Sequence, residues 1–152
     1  MNVAFFMKPK ADITYLYSDF TVRQALEKMH NTSYTAVPVI DRDGYYVGTV
    51  NEGDLLWFIV RGEGGEPHTM AIESLENFRL SEIDLNRKKH ANPTAHVTDK
   101  VEDLIASSLS ANFVPVVDDR GLFIGIVTRS AIIKHYYDTY MVSGNMPEPK
   151  NI

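Results

Sequence analysis

The sequence predicts a mixed α/β (α+β) fold made of two copies of one β-α-β-β-α unit. Three observations carry that prediction. A phrase is written twice, "AVPVIDRDGYYVGTVNEGDLL" at 36–56 and "FVPVVDDRGLFIGIVTRSAII" at 113–133. An amphipathic stripe at helical spacing precedes each copy, and a glycine-containing turn divides each copy in the middle. Self-similarity over tens of residues is the signature of a repeated structural unit. Val37, Pro38, Val39, Asp41, Gly44, Gly48 and Val50 match Val114, Pro115, Val116, Asp118, Gly121, Gly125 and Val127.

Each element has a local cause. "ITYLY" at 13–17 is rich in residues that suit a pleated surface and supplies an opening strand; "TAHV" at 94–97 is its counterpart. Val22, Ala25, Leu26 and Met29 fall on one helical face, with Thr21 and Gln24 spaced as a capping box. Val101, Leu104, Ile105 and Leu109 repeat the stripe, with Asp99 and Glu102 in the capping positions. "AVPVI" and "YYVGTV" flank "DRDG", and the second copy sets "DDRG" between the same kinds of strand. Each pair therefore reads as a hairpin, with strands expected near 36–41 and 45–51, and near 113–118 and 122–128. "DLLWFIV" and "AIIKHYY" then supply a closing helix for each unit. The glycine-rich 61–67 breaks the chain and "MAIESLENF" reads as a short connecting helix. The expected organisation is a first repeat over 1–66, a connector helix over 67–84, a second repeat over 85–140 and a flexible tail over 141–152.

Composition narrows the function. Hydrophobic residues make up 44% and charged residues 23%, the balance of a folded globular protein. With no cysteine, disulfides and thiolate metal sites are excluded. The net charge of −5 argues against a general nucleic-acid binder, because counterion release rewards a basic surface. No apolar run reaches the roughly 18 residues of a membrane span, and the amino terminus lacks the pattern of a secretion signal. A cytoplasmic protein is expected. His30, His68, His90, His96 and His135 show no metal-ligand spacing, and no P-loop, GxGxxG or G-x-S-x-G motif occurs, so no metal and no enzymatic activity are expected.

The strand-to-helix junction that closes each hairpin is where chemistry is expected. The first N–H groups of a helix are unpaired and carry the positive end of its dipole, which favours phosphate. The first junction reads Asn51-Glu52-Gly53-Asp54 and the second Thr128-Arg129-Ser130-Ala131. Asp54 can accept both hydroxyls of a ribose, the part acids play in other nucleotide folds. Arg129 beside Thr128 favours contact with phosphate. Asn51, Asp54 and Thr128 are also plain helix caps, and Arg129 also fits a solvated surface. Tyr34 can stack on a base or pack in the core. "RKKH" at 87–90 can reach a phosphate or be a solvated loop.

Taken together, the twin "VPV" strands, the glycine hairpins, "GTVNEGDL" against "GIVTRSAI" and the lead-in "FMKP" resemble a tandem pair of cystathionine β-synthase (CBS) domains, a Bateman module. The resemblance covers about residues 5–138. It implies two units related by a pseudo-two-fold axis, with clefts between them that bind adenine nucleotides. Carried over position by position, Asp54 would hold the ribose in the Ser/Thr-x-x-Asp pattern, with Asn51 in place of the hydroxyl residue. Thr128 and Arg129 would meet phosphate in a copy that has lost the acid, so the two sites cannot be equivalent. Backbone before Pro38 and Pro115 would frame the adenine, at Thr35, Ala36, Asn112 and Phe113. The implied function is a regulatory module that binds AMP, ADP or ATP and signals occupancy to an effector protein. A cyclic di-AMP receptor and a ligand-free interaction protein are the alternatives. Trp57, Phe58, Tyr136 and Tyr137 lie on helices that commonly pair such modules, so a homodimer is expected.

Overall fold

A computed structural model describes residues 1–61, 72–83 and 93–142. The glycine-rich stretch from 62 to 67, the "RKKH" segment and the tail from 143 to 152 lie outside the described residues. The first half contains strands β2 (Leu16–Tyr17), β3 (Ala36–Ile40) and β4 (Tyr46–Asn51) with helices α1 (Val22–His30) and α2 (Glu52–Arg61). The second contains β5 (Ala95–His96), β6 (Phe113–Val117) and β7 (Phe123–Thr128) with α3 (Ile105–Ser110) and α4 (Arg129–Tyr136), which runs on as a π-helix over Tyr137–Val142. A short strand β1 (Lys8–Pro9) precedes them. The hairpin strands fall where the sequence placed them.

The two halves repeat one another in register as well as in order. β2 pairs parallel with β3, as β5 does with β6. In the hairpins, Ala36 faces Asn51 where Phe113 faces Thr128, and the ladder slips between Val39 and Ile40 as it does between Val116 and Val117. Gly44 and Gly121 turn the hairpins at φ of 94° and 86°, a region that costs an L side chain about 1–2 kcal/mol.

A pseudo-two-fold axis is visible where a residue touches its own equivalent. Tyr45 forms an isolated antiparallel bridge with Leu122, and the Asn112 amide donates to Thr35 Oγ1 at 3.3 Å, its partner 77 residues away. The Phe123 N–H donates to the Gly44 carbonyl at 2.9 Å. Three apolar clusters follow from this arrangement. Each half has its own core, and Ile40, Phe113, Phe123 and Ile126 form a third between the halves with Tyr15, Tyr17 and Tyr46 packed on it.

The lead-in to each repeat packs on the other repeat. By sequence order residues 1–9 belong to the first unit, yet β1 pairs antiparallel with β7 to complete a four-stranded sheet of order β1-β7-β6-β5. Asn2 bridges to Lys100, and in the same way Arg79 bridges to Thr21. Val3 is fully buried in the second core and Leu80 in the first. The connector was expected to be one helix. Its described part is two 3-10 turns, Ile72–Asn77 and Leu80–Glu82, held to the first half by Leu75, Phe78 and an Arg23–Glu76 ion pair.

The first helix of each half departs from symmetry. α1 has its capping box, with the Gln24 N–H donating to Thr21 Oγ1 at 3.1 Å and the Thr21 N–H to Gln24 Oε1 at 2.9 Å. The box expected from Asp99 and Glu102 does not form: Asp99 Oδ2 accepts from the His96 N–H instead, and no side chain caps the turn. The chain enters as a 3-10 turn over Val101–Leu104 before α3 begins. Four residues at three per turn add about 80° of rotation relative to an α-helix. The apolar stripe therefore leaves the core at its end, and Leu109 is 79% exposed.

Candidate functional site

A cleft of about 420 Å³ opens between the halves. The first half contributes Tyr34, Thr35, Ala36 and Pro38; the second contributes Asn112, Phe113, Thr128, Arg129, Ser130 and Ile133. Eight of the residues singled out in the sequence thus come together: Tyr34, Thr35, Ala36, Pro38, Asn112, Phe113, Thr128 and Arg129. Ile13, Thr14, Ser33, Ile126 and Lys8 complete the wall.

Hydrogen bonds at the starts of strands and helices hold the wall in place. The Glu52 N–H donates to the Thr35 carbonyl at 3.1 Å, and the Arg129 N–H to the Asn112 carbonyl at 2.9 Å, so each helix start is tied to the residue that enters its own hairpin. Thr128 caps α4, its Oγ1 accepting from the Ala131 N–H at 3.2 Å and lying 3.1 Å from Ser130 Oγ. Arg129 donates from Nε to the Ser108 carbonyl at 2.7 Å and from Nη2 to the Leu109 carbonyl at 3.4 Å. It therefore joins the start of α4 to the end of α3, where its charge meets the negative end of that helix.

Asn51 and Asp54 stand apart from this cleft. The Asn51 N–H donates to Asp54 Oδ2 at 2.9 Å and the Asp54 N–H to Asn51 Oδ1 at 2.8 Å, a reciprocal cap on α2. Neither lines the cavity, and Pro115 lies buried in β6 opposite Ile126. The lining among the described residues thus holds two cations, Lys8 and Arg129, and no carboxylate. Sequence reasoning missed Lys8. Its signal was "FMKP", but only the crossing of β1 onto β7 brings that lead-in to the cleft. Ile133 and Ser130 were within reach, as neighbours of Thr128 on α4.

The four aromatic residues expected at a subunit interface divide. Phe58 is buried in the first core against Phe78, and Tyr136 packs on the second core and stacks on Tyr140. Trp57 is 57% exposed and Tyr137 56% exposed. Phe58 therefore belongs to the interior, because α2 turns that face to the sheet. Among the described residues no helix is long and apolar enough to cross a membrane, and no cluster of side chains is arranged to hold a metal ion.

Comparison with known proteins places these features in a family. The model of the CBS domain matches twice, at residues 4–61 and 84–138. The chain is 27% identical over 148 residues, 88% of its length, to the CBS domain-containing protein CBSX1, chloroplastic, of Arabidopsis thaliana. It spans 63% of that relative, and 22% of a homoserine O-acetyltransferase of Methanohalophilus mahii to which it is 28% identical over 121 residues. Among solved structures, CbpB in complex with c-di-AMP superposes with a TM-score of 0.79 at 18% identity, covering 97% of this chain and 91% of that one. CBSX2 in complex with AMP superposes at 0.70 with 24% identity, covering 91% and 97%. Two family matches in tandem, the contacts of Tyr45 with Leu122 and of Thr35 with Asn112 across an axis, and the cleft between the halves lead to one assignment: this chain is a member of the CBS-domain family, a tandem CBS pair.

Proposed function

We propose that the chain is a regulatory module that binds an adenine nucleotide in the cleft between its repeats and passes occupancy to an effector protein. The observation that carries this reading is the cleft itself. Its volume of about 420 Å³ lies in the usual 300–1,000 Å³ range of small-molecule sites, and both halves wall it. Apolar Ala36, Phe113, Ile126 and Ile133 offer surfaces to a base, and the start of α4 with Lys8 and Arg129 offers positive charge to phosphate. A ligand seated there touches both repeats, so binding biases their relative pose.

The described lining, which holds two cations and no carboxylate, favours a second reading, a cyclic dinucleotide such as cyclic di-AMP, whose bridging phosphates demand charge more than a free ribose diol does. Titration calorimetry with AMP, ATP and cyclic di-AMP separates the readings, and a ligand at 100 times its Kd adds about 2.7 kcal/mol to the unfolding free energy. No heat and no thermal shift with any of them would leave the interaction-protein reading in possession. A ribose-holding part for Asp54 belongs to its own junction at the start of α2. Asp54→Ala should then weaken ribonucleotides about tenfold or more at that junction, measured by calorimetric stoichiometry and affinity.

Pairing of two copies is part of the proposal. Leu56 and Trp57 on α2, Ile133 on α4 and Tyr137 in the following π-helix are exposed and costly to leave in water. Sedimentation at tens of micromolar should show a dimer that Trp57→Glu weakens; a monomer at that concentration removes this part of the reading.

A further inference from the structure

We infer that Lys8 is the phosphate-binding residue of the cleft, and that the cleft ranks nucleotides by phosphate charge and not by their ribose hydroxyls. This rests on the reading that the cleft holds a nucleotide. Among the described residues two cations line it, and they differ in what else they do. Two N–H groups of Arg129 are given to the carbonyls of Ser108 and Leu109, so its charge already faces the negative end of α3. The Lys8 ammonium has no hydrogen-bond or ion-pair partner among the described residues.

The backbone of Lys8 is fixed although its ammonium has no partner among the described residues. β1 sets Lys8 opposite Ile126, itself a cleft residue, and Pro9 opposite Gly125. A Cβ on Gly125 would lie 2.3 Å from the Lys8 carbonyl oxygen, so only glycine lets the lead-in approach this closely. An ammonium on a flexible stem is a point charge that adapts to phosphates of differing number and position.

A carboxylate that accepts both ribose hydroxyls would have to stand near the start of α4, where Ala131 is found with its N–H given to Thr128. The acid at the corresponding place in the other half, Asp54, is absent from this cleft.

The test is calorimetry on the full chain with adenosine, AMP, ATP, 2′-deoxy-ATP and cyclic di-AMP at low and high salt. Lys8→Met should weaken every phosphorylated ligand that wild type binds by about tenfold, leave adenosine unchanged and flatten the salt dependence, while Lys8→Arg restores binding. An unchanged thermal midpoint confirms that Lys8→Met is folded. In the Asp54→Ala chain, where the other junction has lost its acid, 2′-deoxy-ATP should bind within about tenfold of ATP. Unaltered affinity and salt dependence in Lys8→Met, or a larger deoxy penalty in Asp54→Ala, overturns this inference and leaves nucleotide binding standing. Failure of the wild type to bind any of the five overturns the nucleotide reading itself.

Discussion

At the scale of residues, the two copies of the junction have been put to different uses with the same physical means. Asn51 and Asp54 satisfy each other's N–H groups, and Thr128 caps α4 alone. The difference traces to Ala131, which has no side-chain acceptor to return the favour. Glycine is used with the same economy. Gly125 exists for a backbone contact, since any Cβ there would also lie 2.7 Å from Met7 Cγ. Gly125→Ala should force β1 off β7 or shift both strands, costing about 1–3 kcal/mol in urea denaturation. A variant as stable as wild type, with hydrogen exchange at Lys8 unchanged, would show that the lead-in can yield without loss.

At the scale of elements, the exchange of lead-ins decides how the halves hold together. Val3 and Leu80 are equivalent, each buried in the core of the repeat it does not precede. Leu80→Ala should cost about 2–5 kcal/mol, the usual range for a fully buried leucine. Because the Leu80 N–H also donates to the Phe20 carbonyl and the Ser81 N–H to the Ser18 carbonyl, the backbone should stay while the core loosens. The check is native-state hydrogen exchange: amides of α1 should open sooner than those of β6 and β7, and equal acceleration in both halves would mean the two cores melt as one. The opening helix of the second half is the weaker one, lacking a capping box and containing only the six residues Ile105–Ser110 in α form. The two carbonyl bonds of Arg129 tie its end to α4.

At the scale of the whole molecule, the surface charges set the response to acid. Arg42 donates two hydrogen bonds to Asp19, at 2.7 and 3.0 Å, and holds its carboxyl below the ordinary range. Glu102 is lowered by a hydrogen bond from its own backbone amide and, against partial loss of water, by His135. For Asp118 loss of water is the largest single effect and pushes upward, but the Arg120 guanidinium with the Leu122 and Arg120 amides outweighs it and the net shift is down. A carboxyl whose native pKa is depressed adds stability that is complete above the unfolded value of about 4 and is lost as pH falls through the native value. The contributions of these three groups should therefore be constant from about pH 5 to 7 and fall away below about pH 4. Thermal midpoints across that range check it, and the Asp19→Asn chain should lose less on acidification than wild type. An equal loss in both would remove Asp19 from the account.

The repeat, the hairpins and the cap of α1 were legible in the sequence, because each depends on residues within one turn or one strand pair of each other. "VPV" with a glycine turn sets a hairpin whatever surrounds it, and Thr21 with Gln24 closes a helix start without help. Eight cleft residues could likewise be named in advance, Thr128 and Arg129 from the second junction, Tyr34 as an aromatic near a strand start, and those around Pro38 and before Pro115 from the family resemblance. The sequence could not show which lead-in serves which half, because adjacency along the chain assigns residues 1–9 to the first repeat while buried Val3 and the β1–β7 pairing assign them to the second. Tertiary structure alone brought Lys8 to the cleft and left Asp54 outside it, whereas Leu109 turned outward through the uncapped 3-10 entry of its own helix. The physical reason in the first two is that local pattern fixes which face of an element is apolar, but what that face meets depends on contacts between residues far apart in sequence, formed only when the halves close on their common axis.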